Sequence, residues 1–433
     1  MNRFFCGLAV IFLWSTAPQA EPLADKTADM QKITVTEQQA VALFYQNNLS
    51  LLAAKFNIDS AQAQEIIAAA IPNPVFTFTT STIPIARLRP DQRNAPLPAI
   101  SPQVEQLIET AGKRRLRMES SALGTKASGF DLLDTTRVLT NAVRRSYYNL
   151  LLAQKVGQVA NENSGHYQEI LKANSIRLKA GDIPAIHLVR IEMESLKAQS
   201  EQDQAQAALS QARAELLLML GWPENSMKII AAEVWPEAKP EIALAKHDQL
   251  TERALEQRPD LRAARARIEQ ARKSLELAQR MAIPDVTVSA FFQRDPGNFI
   301  TNSTGVGISV PLPLFYRQEG QIAKAGVDLH AVELQLQQNE QTIRAEIMKT
   351  LSAWQSADAI ARRYETSVIQ RIEALRKTQE TAFLKGAVGL LDLIDTERNY
   401  KIMMLDYYAA LAGRSKAWAD LLMVCGEETR AQP

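Results

Sequence analysis

The sequence predicts a mainly α-helical fold with a small β part, built as two copies of one unit. Each copy contributes a long helical shaft and two strands of bilayer-crossing length. Three observations carry this reading. Two apolar-periodic stretches of about 68 residues, near 112–180 and 317–384, outrun any helix that a compact globular core needs. Each is broken by a glycine, Gly181 and Gly386, after which a new helical pattern begins. The halves also match at fixed displacements. A displacement of 205 places Gly181 on Gly386, Leu188 on Leu393, Glu192 on Glu397, Ala212 on Ala417 and Leu216 on Leu421; one of 212 places Leu49 on Leu261 and Pro72 on Pro284.

Residues 1–20 have the layout of a secretory signal peptide: Arg3, an apolar run from Phe4 to Trp14, then small residues to Ala20, where cleavage is expected. No cysteine follows the apolar run, so no N-terminal lipid anchor is expected. Residues 21–35 read as a polar, irregular lead-in. Thr36 with Gln39 forms a capping-box pattern, and a helix is expected over 37–70, bent or interrupted at Asn47 and Asn48. Pro72 and Pro74 end it.

Residues 75–82 (VFTFTTST) are β-branched and aromatic and read as a strand. Four prolines make 83–100 a loop, and 101–110 is the candidate returning strand. The helical pattern then restarts with GKRRLR and continues to about residue 180; Gly157 and Gly165 are candidate bends. As one rod this stretch is ~100 Å long. Beyond the tip at Gly181, Pro184 is placed just inside the next helix. Leu188, Ile191, Ser195, Ala198, Gln202, Ala205, Leu209, Ala212, Leu216 and Met219 then form a heptad seam rich in small and polar residues.

Gly221, Trp222 and Pro223 close the first repeat (21–220), and 221–247 reads as an inter-repeat linker. The second repeat (248–424) carries a helix over 248–281 bent at Pro259, strands near 285–294 and 304–310, and the second shaft. After the tip at Gly386 and Gly389, a final helix with Leu393, Thr396, Tyr400, Met403, Tyr407 and Ala410 on its seam runs to Met423. Residues 425–433 are a polar tail. Asp392 and Asp395, three apart on the first turn after this tip, share one helix face at the end that favours negative charge.

Bulk composition narrows the function. A net charge of +1 gives no basic face for nucleic acid. With 17 glycines and 6% aromatics, a Gln/Ala/Leu/Glu-rich chain fits long helices. Cys6 leaves with the leader and Cys425 stands alone, so no disulfide framework is expected. His166, His187, His247 and His330 are scattered, and no zinc-type spacing occurs. No Ser/His/Asp grouping or phosphate loop appears, so no catalytic, metal or cofactor residue is assigned and the chain is not read as an enzyme. Met403 and Met404 read as core packing, and Lys113–Arg117 as a basic collar at a membrane boundary. No later stretch offers ~18 consecutive apolar residues, so no transmembrane helix is expected.

Strands of 8–10 residues suit a tilted bilayer crossing. Four per chain leave two edges that hydrocarbon does not tolerate. Several chains must therefore share one barrel, and three would supply twelve strands. A seam this polar suits helices curved into a wide tube with one face on water. The combination is a conduit.

Four further segments carry a resemblance: PNPVF (Pro72–Phe76), GKRRLR (Gly112–Arg117), RPDLRAARARIE (Arg258–Glu269) and PLPLF (Pro311–Phe315). The chain resembles the TolC-like outer-membrane efflux channels over essentially its whole mature length, most closely the CzcC-like heavy-metal branch. The resemblance implies a homotrimer in outer-membrane lipid with a twelve-stranded barrel and a helical barrel in the periplasm. It implies docking to a periplasmic adaptor and an inner-membrane RND-type pump, passive conduction, and no cofactor. Heavy-metal cations such as Co/Zn/Cd or Cu/Ag are the expected substrates, with organic compounds or drugs as the alternative. A secreted structural coiled-coil protein is the more remote reading. Val388, Gly389 and Leu390 match the family's adaptor-docking tip, with Gly181, Asp182, Ile183 and Pro184 at the corresponding first tip. Asp392 and Asp395 match its periplasmic gate carboxylates. His187 and Arg190 occupy the equivalent positions of the first repeat, placed to pair with those aspartates.

Overall fold

A computed structural model of the chain describes residues 32–81, 98–223, 228–236, 242, 246–295 and 300–426. The expected leader, nearly all of the proline-rich loop, parts of the linker and most of the tail lie outside these residues. The first unit begins with β1 (Lys32–Val35), α1 (Glu37–Asn47) and α2 (Leu49–Ala69). The capping box at α1 forms: Gln39 N donates to Thr36 Oγ1 at 3.3 Å and Thr36 N donates to Gln39 Oε1 at 2.9 Å. Asn48 separates the two helices. Its Oδ1 accepts from Leu51 N at 2.9 Å, capping α2, while its amide donates to Met219 O at 2.7 Å.

β2 (Val75–Ser81) pairs antiparallel with β3 (Ala99–Ile108). The returning strand ends two residues earlier than expected because the chain turns sharply there. Thr110 N donates to Asp285 Oδ1 (2.8 Å), and Ala111 and Gly112 take left-handed backbone, φ 56° and 72°. The shaft α3 (Lys113–Lys179) follows, 67 residues, with helical hydrogen bonding unbroken through Gly157 and Gly165. Then come α4 (Ala185–Met219) and β4 (Lys228–Ala231). Pro184 is the N-cap of α4 rather than its first helical residue.

The second unit contains α5 (His247–Gln257), α6 (Pro259–Arg280), β5 (Val286–Asp295), β6 (Thr301–Ser309) and α7 (Glu319–Arg363). A five-residue π-helical turn (Tyr364–Val368), α8 (Ile369–Leu384) and α9 (Leu390–Cys425) complete it. The expected single helix over 248–281 is two helices, because Arg258 is extended (ψ 129°) ahead of Pro259, as a residue preceding proline prefers. The second shaft is likewise not one α-helix. The π-turn interrupts it, and Arg414 of α9 grips Glu365 inside that turn with two bonds of 2.9 and 3.1 Å.

The lead-in and the linker contain structure that the pattern analysis misses. β1 and β4 form a two-stranded parallel sheet, with Ile33 opposite Ile229 and Val35 opposite Ala231. Four residues are too few to show a period, and the partner lies at the opposite end of the first unit. The pair closes the core of the first unit, where Phe44, Tyr147, Tyr148, Leu216, Leu220 and Ile229 are buried. The corresponding core of the second unit gathers Leu250, Leu261, Ile347, Trp354, Trp418 and Leu421. The heptad seam of α4 holds: Ile191, Ala198, Ala205, Leu209, Ala212 and Leu216 are all buried.

The other sheet has the order β2-β3-β5-β6, antiparallel throughout, with β2 and β6 at its edges. Its register separates the faces. Phe76, Val104, Ala290 and Val306 share one rung, with Phe78, Pro102, Val288 and Ile308 on the same face. The opposite face carries Thr77, Ser101, Gln103, Glu105, Ser289, Ser303 and Gly307. Phe76 and Val306 stay exposed, and no described residue covers the apolar face. Gly305 is required on the polar face because a Cβ there would sit 2.5 Å from Cζ of its cross-strand partner Phe291.

The helices continue the sheet in the same sequence. Near the sheet they pack as a row α2–α3–α6–α7, and farther away as α4–α3–α9–α7, with α8 also against α9. Lys113 fastens the two layers. Buried itself, it donates Nζ to Ile283 O (2.5 Å) and Asp285 Oδ1 (2.7 Å), holding the start of α3 to the start of β5. Arg114 reaches Ala69 O at 2.7 Å and Arg117 pairs with Glu109. The expected basic collar is therefore largely an internal tie. No helix among the described residues is long and apolar enough to cross a membrane.

Candidate functional site

The end of the shafts remote from the sheet is built from two turns of one design. Gly181 (φ 83°) ends α3 and Gly386 (φ 74°) ends α8, each in the left-handed region that glycine tolerates best. At the first tip Gly181 N bonds Leu178 O (3.0 Å) and Asp182 N bonds Arg177 O (2.8 Å). At the second, Gly386 N bonds Phe383 O (2.9 Å) and Ala387 N bonds Ala382 O (2.8 Å). Both are Schellman closures, which satisfy carbonyls a helix end otherwise leaves open. The repeat displacement read from the sequence thus returns as matching backbone geometry.

The predicted tip residues divide by exposure. Gly181, Asp182, Pro184 and Gly389 are exposed, and Ile183 and Val388 are half-buried. Leu390 is buried. With Leu393 and Ile394 it packs on Tyr167, Ile170, Ile191 and Ala198, seating the start of α9 against α3 and α4. Asp392 and Asp395 are both exposed on the first turns of α9. Asp392 Oδ2 accepts from Gly389 N at 3.1 Å, satisfying an amide at the helix start. Asp395 lies 3.7 Å from Arg398 Nη1. His187 and Arg190 form no ion pair with either aspartate among the described residues of one chain. Met404 is buried and Met403 half-buried, as core packing requires.

Just above this turn lies a cluster that the sequence reading passes over. Glu397, 2% exposed, accepts from Arg376 Nε of α8 at 3.1 Å and lies 3.3 Å from His166 Nε2 of α3. Arg376 also stacks over the Tyr400 ring, 4.4 Å from its centroid. Two more pairs bind α9 to α4: Arg398 to Glu194 and Lys401 to Glu201, both at 2.7 Å. The Glu397 carboxylate, 3.3 Å away, raises the His166 pKa above 6.5, against the opposing effect of burial. Burial pushes Glu397 up, but the His166 and Arg376 contacts outweigh it and hold the carboxyl below 4.5. A usable signal was present: Glu397 directly follows the seam residue Thr396, where a carboxylate must find a partner. Its partners, however, come from two other helices. The arrangement contains no nucleophile–base pair, and no three-member His/Cys/Asp/Glu group suited to a metal occurs among the described residues.

Known proteins share this architecture. A family model described as "Outer membrane efflux protein" matches residues 41–222 and 250–427. The cobalt-zinc-cadmium resistance protein CzcC of Cupriavidus metallidurans is 24% identical over 98% of this chain and 100% of its own length. The pyoverdine export outer membrane protein OpmQ of Pseudomonas putida is 23% identical over 89% of this chain and 84% of its own. The crystal structure of the Campylobacter jejuni CmeC outer membrane channel superposes with a TM-score of 0.76, at 16% identity, covering 90% of this chain and 85% of that one.

Proposed function

The chain belongs to the outer membrane efflux protein family, and on that premise we propose that three copies close into one duct that carries heavy-metal cations out of the cell. It is an outer-membrane efflux channel that extends into the periplasm, a passive conduit and not an enzyme. One observation carries the trimeric reading. Sheet and helices run in the same lateral order and both stop at open flanks, β2 with α2 on one side and β6 with α7 on the other. Unpaired strand edges are not tolerated in hydrocarbon. β6 of one copy therefore meets β2 of the next, and three copies give twelve strands with the apolar face on lipid and the polar face on the lumen.

At the far end the exposed tips are the docking surface for a periplasmic adaptor that belongs to an inner-membrane RND-type pump. Val388 and Gly389 present the second tip, and Gly181, Asp182, Ile183 and Pro184 the first. Leu390 supports the second tip from within. Asp392 and Asp395 from three copies form the gate, rings of carboxylates around the narrowed mouth. Replacing both with Asn is expected to raise single-channel conductance of purified trimers in planar bilayers several-fold. Unchanged conductance removes the gate assignment. Charge reversal of Arg190 in the same assay tests whether it pairs with these aspartates across copies; an unaltered leak denies that pairing.

The substrate reading rests on the full-length likeness to CzcC; the likeness to OpmQ favours an organic cargo as the second reading. Deleting the gene is expected to lower tolerance to cobalt, zinc and cadmium or to copper and silver, with antibiotic and siderophore export unaffected. Restoration by the wild-type gene, but not by Val388→Asp in an intact trimer, is the result expected of a docking tip. Unaltered metal tolerance with impaired antibiotic or siderophore export establishes the organic reading instead.

A further inference from the structure

Both open flanks of the subunit carry an uncovered apolar patch at the junction between sheet and helices. On one flank the chain leaves β6 at Ser309 and runs without strand or helix to α7. There Leu312, Leu314 and Phe315 are 72%, 73% and 101% exposed. On the other flank, the end of α2 and the connection to β2 expose Ile66, Ile67 and Ile71 at 74%, 63% and 62%. The rung that contains Val75 also contains Gly307. The residues after Ser309 and those before Val75 therefore leave the sheet at the same end.

We propose that these two patches are the halves of one interlock between copies of this chain, with Leu312, Leu314 and Phe315 of one copy seated on Ile66, Ile67 and Ile71 of the next. The inference rests on the trimeric reading above and adds the contact that locks it. Three features select a second copy over lipid as the occupant. The patches adjoin β6 and β2, the two strand edges that ring closure must bring together, so they continue that interface. Each patch is set among prolines, Pro311 and Pro313 on one side and Pro72 and Pro74 on the other. Proline has no N–H, so these connections press on an apolar neighbour with fewer stranded donors. The exposed apolar residues also continue along both edge helices, to Phe56 on α2 and Val327 on α7. Phe56 lies more than a dozen residues before the strand, roughly 20 Å of helix from the sheet and beyond the reach of acyl chains.

The test is a double-cysteine variant, Ile67→Cys with Leu314→Cys, oxidised in isolated outer membranes. Native Cys425 is fully buried and does not compete. Disulfide-linked dimers and trimers on a non-reducing gel are the expected result, with neither single variant cross-linking. A native gel of the same sample reports assembly independently. A trimer that gives no cross-link, and whose Leu314→Cys position carries a fluorophore quenched by nitroxide-labelled lipid, overturns the interlock and leaves the trimer standing. A monomer on the native gel overturns both.

Discussion

Replacing Val306 by Arg is expected to abolish the assembled channel in the outer membrane, whereas Ser303→Arg, on the same strand, is expected to be inserted nearly as well as the wild type. Val306 shares its rung with Ala290, midway along β5, and stands on the apolar face; Ser303 stands on the polar face. A basic side chain at the lipid-facing midplane of a barrel costs about 2–4 kcal/mol, while substitutions toward the lumen tune selectivity instead. Repeated in three copies, the penalty is roughly 6–12 kcal/mol, comparable with the whole stability of a typical domain at ~5–15 kcal/mol. The measurement is the fraction of heat-resistant trimer in outer-membrane extracts. Equal insertion of both variants, or equal failure of both, overturns the assignment of faces.

The second large effect is expected at Glu397. Replacing it by Ala leaves Arg376 and His166 facing each other across the junction of α3, α8 and α9. Breaking a buried pair costs about 3–5 kcal/mol. The low end applies, because Arg376 keeps 24% of its side chain in water. About 3 kcal/mol opens the tip about a hundredfold more often. The expected readouts are faster amide exchange in the first turns of α9 and a higher leak conductance of the purified channel than that of the wild type. Glu397→Gln, which keeps an acceptor for Arg376, is expected to lose less. Undisturbed exchange at the tip in the Ala variant denies the cluster this role.

The same cluster fixes a pH dependence. From α9 and α8, His166 faces Glu397, Arg376 and Glu380, and on its own helix Glu169 lies 3.9 Å away. Its folded pKa is raised, so its contribution is complete below pH 6.5 and is lost as the pH rises through the folded value. Glu397 is shifted downward, so its contribution is present above pH 4.5 and is lost as the pH falls through its folded value. Tip protection is therefore expected to be greatest in mildly acidic solution and to decline toward alkaline pH. His166→Gln is expected to flatten the alkaline limb and to weaken the acid one, which Arg376 then sustains alone.

Much of this architecture is legible in the chain. Helical period, glycine and proline are local signals, so the two shafts, both tips and all four strands of the larger sheet can be placed to within a few residues. The capping box at Thr36 and the helix break at Asn48 are equally local, because one side chain settles each. The errors share a cause. β1 and β4 are each too short to show a period and exist through pairing with each other from the two ends of the first unit. The π-turn at Tyr364–Val368, whose Glu365 is held by Arg414, and the inward course of Lys113 likewise depend on partners far away in sequence.

What the sequence determines by itself is the repeated unit, its shafts and tips, and strands long enough for a bilayer, because these follow from the backbone preferences of neighbouring residues. Only the tertiary structure decides which rung each strand residue occupies, and that Glu397 is buried between His166 and Arg376. It alone leaves β2 with α2 and β6 with α7 as open flanks. Register, burial and open edges are relations between segments that meet in space, and no single segment contains them.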